Sequence, residues 1–167
     1  MKIIEQWVDR SGRWVSWFTL LMVLITLAVV ILRYIFNIGA TAAQEMALYL
    51  HGAILTLAAG YTLKHDGHVR VDIFYRRFSM QARNWVDFLG TLLFLFPVSI
   101  YILYASFDYV MTSWHYSETS VEAGGLPFVY IQKSLLLGLP LSLMLQGLVE
   151  LLRLNRLLFP KSVGKNQ

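Results

Sequence analysis

The strongest constraint in this 167-residue chain is its first apolar run, Trp14 to Leu32, nineteen residues without a charge. At 1.5 Å per residue a helix of that run covers about 28 Å, close to the roughly 30 Å of a bilayer's hydrocarbon core. Three more apolar runs follow. The expected helices are 14–36, 42–63, 85–107 and 128–152. Charged residues make up 14% of the chain and hydrophobic ones 57%, against roughly a quarter charged in soluble domains. The deficit is concentrated in the four runs. The expected fold is therefore an all-α integral membrane protein, one four-helix domain over 1–167. Trp14–Leu32 exceeds a typical signal h-region, and Arg33, Tyr34 and Phe36 separate it from Ala40-Thr41-Ala42, so the first helix is expected to be retained.

Basic residues set the orientation. Twelve of the fourteen Lys and Arg lie in the N-terminus, the Lys64–Arg83 loop and the tail. The two opposite loops, Asn37–Thr41 and Asp108–Pro127, hold none. By the positive-inside rule both termini and the basic loop are expected in the cytoplasm. Trp14, Trp17, Tyr34 and Phe36 read as interfacial aromatics. Attraction to anionic lipid accounts for the net charge of +4 better than nucleic acid does.

Within the basic loop, Val71, Phe74, Tyr75 and Phe78 recur at i, i+3, i+4, i+7, opposite Arg70, Asp72, Arg76 and Arg77. This pattern predicts a short amphipathic helix on the lipid surface, with Arg70, Phe74, Arg76, Arg77 and Phe78 as its anchor. Ser79 is the expected N-cap of the next helix. Pro97 and Pro140 fall inside spans, where each predicts a kink.

Two stripes of small and polar residues mark faces made for close packing. One is Glu45, Gly52, Thr56 and Ala59 on the second helix. The other is Ser134, Gly138, Ser142 and Gln146, with Glu150 beyond, on the fourth. Both are expected to meet a partner subunit. Glu45, near the outer end of its helix, reads as half of a structural pair with Arg33 or a partner residue in preference to an ion-coupling site. Lys133 is expected to snorkel to the surface, and Glu150 to sit beside Arg153.

Cofactor chemistry finds little footing. The chain has no cysteine. His65 and His68 flank Asp66-Gly67 in a solvated loop, which fits bridging polar residues better than a metal site. His51 is the one histidine inside a span, and a bis-His haem needs axial ligands on facing helices. No catalytic residue, metal or cofactor is expected.

Taken together, Gln44-Glu45 opening the second helix, Gly67-His68-Val69-Arg70-Val71-Asp72 after it, GGLPFVYIQKSLL over Gly124–Leu137 and Gln146…Glu150 resemble one known family. It is the small membrane subunit of tripartite ATP-independent periplasmic (TRAP) transporters, matched in order and spacing from helix one to Arg153. The resemblance implies a bacterial inner-membrane scaffold for solute import by symport, typically of an organic acid. It implies a large permease as partner, which holds the substrate and ion sites. A periplasmic solute-binding protein would dock transiently. Two readings from other classes compete: a haem or quinone membrane anchor of a redox enzyme, and an autonomous small carrier using Glu45.

Overall fold

The computed structural model of the protein describes residues 2–69 and 73–159. Its elements in order are α1 (Lys2–Tyr34), α2 (Thr41–Leu57), α3 (Ala59–Lys64), a 3₁₀ turn (Tyr75–Arg77), α4 (Met80–Gly90), a π-turn (Thr91–Leu95), α5 (Phe96–His115) and α6 (Val129–Leu158). They make four spans long and apolar enough to cross a membrane: Val8–Tyr34, Thr41–Lys64, Met80–His115 and Val129–Leu158. The spans run past the expected ranges at their polar ends. Charge marks where hydrocarbon stops, but backbone hydrogen bonding can carry a helix several residues further.

Connections are short where the turn chemistry allows it. After α1 the chain turns through Asn37 at φ 53°, a left-handed conformation that Asn tolerates well. Ile38 N–H closes the turn on the Leu32 carbonyl at 2.9 Å. The second span bends at Ala58, between α2 and α3. The third meets Pro97 by widening first: Phe96 N–H bonds the Thr91 carbonyl, five residues back. A π-turn is one of the standard causes of a mid-helix bend.

The helices form an open slab. Helix α1 packs on α2, α2 and α3 pack on α6, and α6 packs on α5 and α4, while α5 has no packing interface with α1 or α2 among the described residues. Helix α6 is the hub because it carries close-approach positions on opposite faces. A Cβ at Gly138 would touch Leu57 at 3.3 Å, and one at Gly147 would meet Leu95 at 2.9 Å. These glycines are nine residues apart, half a turn at 3.6 residues per turn. Most large apolar side chains of the spans point outward, Leu20, Leu24, Leu48, Leu55, Phe94 and Leu145 among them. In hydrocarbon that exposure carries no penalty, and helix contacts rest on packing and polar bonds.

Among the described residues, the surface helix expected over 71–78 is not formed as such. Arg70, Val71 and Asp72 lie outside the described residues, and the remainder makes only the 3₁₀ turn Tyr75–Arg77. Phe78 is extended, at φ −78° and ψ 147°. The Arg83 side chain donates to the Phe78 carbonyl at 3.1 Å and the Arg76 carbonyl at 2.7 Å, and stacks over Tyr75. Those contacts hold the segment against the start of α4 in a non-helical course. Phe74, Arg76, Arg77 and Phe78 are exposed. Ser79 does cap α4, accepting from Ala82 N–H at 3.3 Å.

Candidate functional site

Polar contacts gather in three places: a knot at the acidic end of the slab, a seam between α2 and α6, and a clasp at the basic end. The acidic-end knot centres on Glu45, in the second turn of α2. Its Oε2 accepts from Leu126 N–H at 2.6 Å, and its Oε1 accepts from the Ser120 hydroxyl. Ser120 N–H in turn bonds the Leu126 carbonyl at 3.1 Å, and its Oγ accepts from Glu122 N–H at 3.1 Å. The carboxylate thus supplies acceptors that the irregular 116–128 loop cannot find in itself.

The Gly124-Gly125 pair follows from the same geometry. Gly124 sits at φ 75°, where a side chain would be strained. A Cβ on Gly125 would come within 2.8 Å of Glu45 Oε1 and still closer to Ser120. Gln44-Glu45 and GGLP, about eighty residues apart, are therefore two halves of one structure. Among the described residues Glu45 bonds this loop and not Arg33. A short charged side chain at the top of α2 faces the loop that closes over it, while Arg33 lies exposed at the other end of the turn.

Lys133 reaches the same loop. Its Nζ lies 2.5 Å from Glu118 Oε2 and 4.0 Å from the Tyr109 ring centroid. The Lys133 ammonium beside Glu118 holds that carboxyl below its ordinary range. Beside it, Trp114 Nε1–H donates to Ser134 Oγ at 2.8 Å, and Ser134 donates to the Tyr130 carbonyl at 2.7 Å. Ser134 thereby joins α6 to α5.

The seam takes up the rest of both small-residue stripes. Ser142 Oγ donates to the Thr56 carbonyl at 3.1 Å and to its own Leu139 carbonyl at 2.8 Å. Thr56 Oγ1 bonds back to the Gly52 carbonyl at 2.8 Å. A Cβ on Gly52 would meet Leu135 at 3.4 Å, and Ala59 is buried. Gly60, absent from the expected stripe, makes the tightest approach: a Cβ there would lie 2.6 Å from the Ser142 carbonyl oxygen. Gly52, Thr56, Gly138 and Ser142 thus lie along one seam between the two helices. Two stripes of small residues in one chain are each other's best partner. Gln146 is buried between α6 and its neighbours, its Oε1 without a hydrogen-bond partner.

At the basic end Lys64 Nζ and Asp9 Oδ2 lie 2.6 Å apart, tying α3 to α1. The two loop histidines are engaged with backbone: His65 Nδ1 bonds the Tyr61 carbonyl at 3.0 Å and His68 Nε2 the Ala59 carbonyl at 3.2 Å. Gly67 N–H bonds the Thr62 carbonyl at 2.9 Å. Gly67-His68 therefore finishes α3. Tyr75 donates to Asp87 at 2.6 Å. Glu150 pairs with Arg153. Among the described residues no group of three or more His, Asp and Glu could hold a metal ion.

The elements that tie the knot, α2, the 116–128 loop and all but the last residue of α6, fall within residues 22–157, the region that matches the family model for the DctQ component of tripartite ATP-independent periplasmic transporters. The chain belongs to that family. No curated protein and no solved structure matches it. With its four apolar spans, membership makes it the small permease subunit of a TRAP transporter, a multi-pass inner-membrane protein. Such a system also comprises a large permease and a binding protein. Sequence reasoning missed Ser120, Leu126, Gly60 and the Glu118–Lys133 pair. The doubled glycine next to an acidic loop was the available signal for the first two.

Proposed function

We propose that the chain is a scaffold for the large permease and presents its acidic-end loop to the periplasmic binding protein. Substrate and coupling-ion sites then belong to the permease, which imports an organic acid or related solute by symport. Both termini and the basic loop face the cytoplasm under this reading, following the positive-inside rule. The acidic-end loop faces the periplasm, held in one conformation by Glu45 and Lys133.

The observation that carries the proposal is His51. It stands exposed within α2, on a face shared with Gln44, Leu48 and Leu55. At 1.5 Å per residue it lies about 9 Å deeper than Glu45 along the helix. An imidazole facing lipid at that depth is costly, and intramembrane ionisable groups characteristically face protein or water. A permease helix offering a hydrogen-bond acceptor would satisfy it. This moves the proposed partner surface from the Gly52 and Gly138 stripes to the outward face of α2.

Co-expression of the chain with its large permease tests the reading. Affinity purification through either subunit should recover both in detergent, and His51→Leu should reduce the recovery. Solute uptake into cells should require both membrane subunits. Uptake that persists undiminished without this chain would refute the scaffold role.

A further inference from the structure

We propose that α1 carries a binding site for an anionic phospholipid headgroup, made of Arg10 and Arg13 with Trp14 and Trp17. These four residues line a shallow cleft of about 200 Å³ on one helix face. Their spacing is i, i+3, i+4, i+7, which places all four on a single stripe.

Packing fixes the direction of that stripe. Val8 and Val15 on the opposite face are buried, and Gly12 between them lies flat against the Tyr61 ring. At 100° per residue the Val8–Gly12–Val15 face and the Arg10–Arg13–Trp14–Trp17 face are half a turn apart. The Asp9–Lys64 pair, between the two faces, pins the rotation further. Helix α1 therefore cannot roll to hide the arginines against the slab.

Chemistry and depth point to the same ligand. Arg10 and Arg13 are exposed and have no carboxylate within ion-pair distance among the described residues. Two guanidinium forks offer ten N–H donors, a match for phosphate oxygens. Trp14 and Trp17 are each 66% exposed and sit directly below, where the apolar surface of Leu20, Leu21 and Leu24 begins. Indoles at that boundary keep their rings among acyl chains and their N–H groups at headgroup level. A free anion would use the arginines but gain nothing from the indoles or the leucines. A lipid uses all of them, so its phosphate is the ligand the surface fits.

The test is native mass spectrometry of the full chain, released from micelles containing phosphatidylglycerol and phosphatidylcholine in equal amounts. Phosphatidylglycerol adducts should exceed phosphatidylcholine adducts by roughly fivefold or more, the scale of one or two surface cation contacts. Arg10→Gln/Arg13→Gln should bring the ratio close to one. Arg153→Gln/Arg156→Gln removes the same charge from the same end of the slab and should leave the ratio as it is. Inorganic phosphate added in excess should not displace the lipid. Equal binding of the two lipids by the unaltered chain would overturn the proposal. So would an equal fall in the Arg153/Arg156 variant, which means a diffuse field, or displacement by phosphate, which means a free-anion site.

Discussion

Gly60→Ala is the sharpest probe of the helix seam. A Cβ added at Gly60 would stand 2.6 Å from the Ser142 carbonyl oxygen and 3.1 Å from its carbon. Both are backbone atoms, so no side chain can swing aside. Restoring ordinary van der Waals contact requires α3 and α6 to separate by roughly 0.6–0.8 Å, and overpacking of this kind costs about 1–3 kcal/mol. The same separation stretches the Ser142 Oγ–Thr56 carbonyl bond from 3.1 Å beyond hydrogen-bonding distance. In membrane proteins that loss is worth about 0.6 kcal/mol. The better helix propensity of alanine returns up to about 1 kcal/mol. The net expectation is destabilisation by about 1–3 kcal/mol, from several-fold to roughly a hundredfold in the folding equilibrium. Reversible unfolding in mixed micelles, followed by circular dichroism, measures it. Gly90→Ala is the control: it is helical with nothing within 4 Å of its added Cβ, so the change should be neutral or stabilising. If Gly60→Ala is as stable as Gly90→Ala, the close approach of α3 to α6 is wrong.

Other expectations follow from the two ends. Glu45→Ala leaves Leu126 N–H and Ser120 without their acceptor and should loosen the loop they hold. Hydrogen exchange over residues 116–128 should accelerate while α1 is unchanged. Glu45→Gln keeps one acceptor oxygen, so solute uptake by the assembled transporter should survive it; complete loss with the complex intact would assign Glu45 to ion coupling. Glu118 is held below its ordinary range chiefly by Lys133. Its contribution to loop order is therefore present above the ordinary carboxyl value and lost as pH falls through the lowered one. Lys133→Met should remove that acid-induced loosening, read as loop proteolysis against pH. Lys64→Met should shift the thermal unfolding midpoint little, because the Lys64–Asp9 pair is partly exposed, at 22% and 39%.

The number of spans, their approximate ends and the clustering of basic residues at one end were legible without coordinates. Hydrocarbon excludes charge segment by segment, so composition along the chain reports it directly. Individual faces were legible too. The stripes through Gly52–Thr56–Ala59 and Gly138–Ser142 are genuine close-packing faces, because 3.6-residue periodicity is local. Their partners were not legible, since a helical wheel gives the direction of a face and not what stands opposite. Only the tertiary structure turned the two stripes toward each other and opened the helices into a slab. It also folded a loop some eighty residues away onto Glu45. The amphipathic pattern near Phe74–Phe78 misled at shorter range: spacing favoured a helix, and the Arg83 side chain, from the start of α4, took the carbonyls at Arg76 and Phe78. Chain composition decides what enters the bilayer; contacts across the chain decide which polar groups are satisfied there, as at Glu45, and which stay exposed, as at His51.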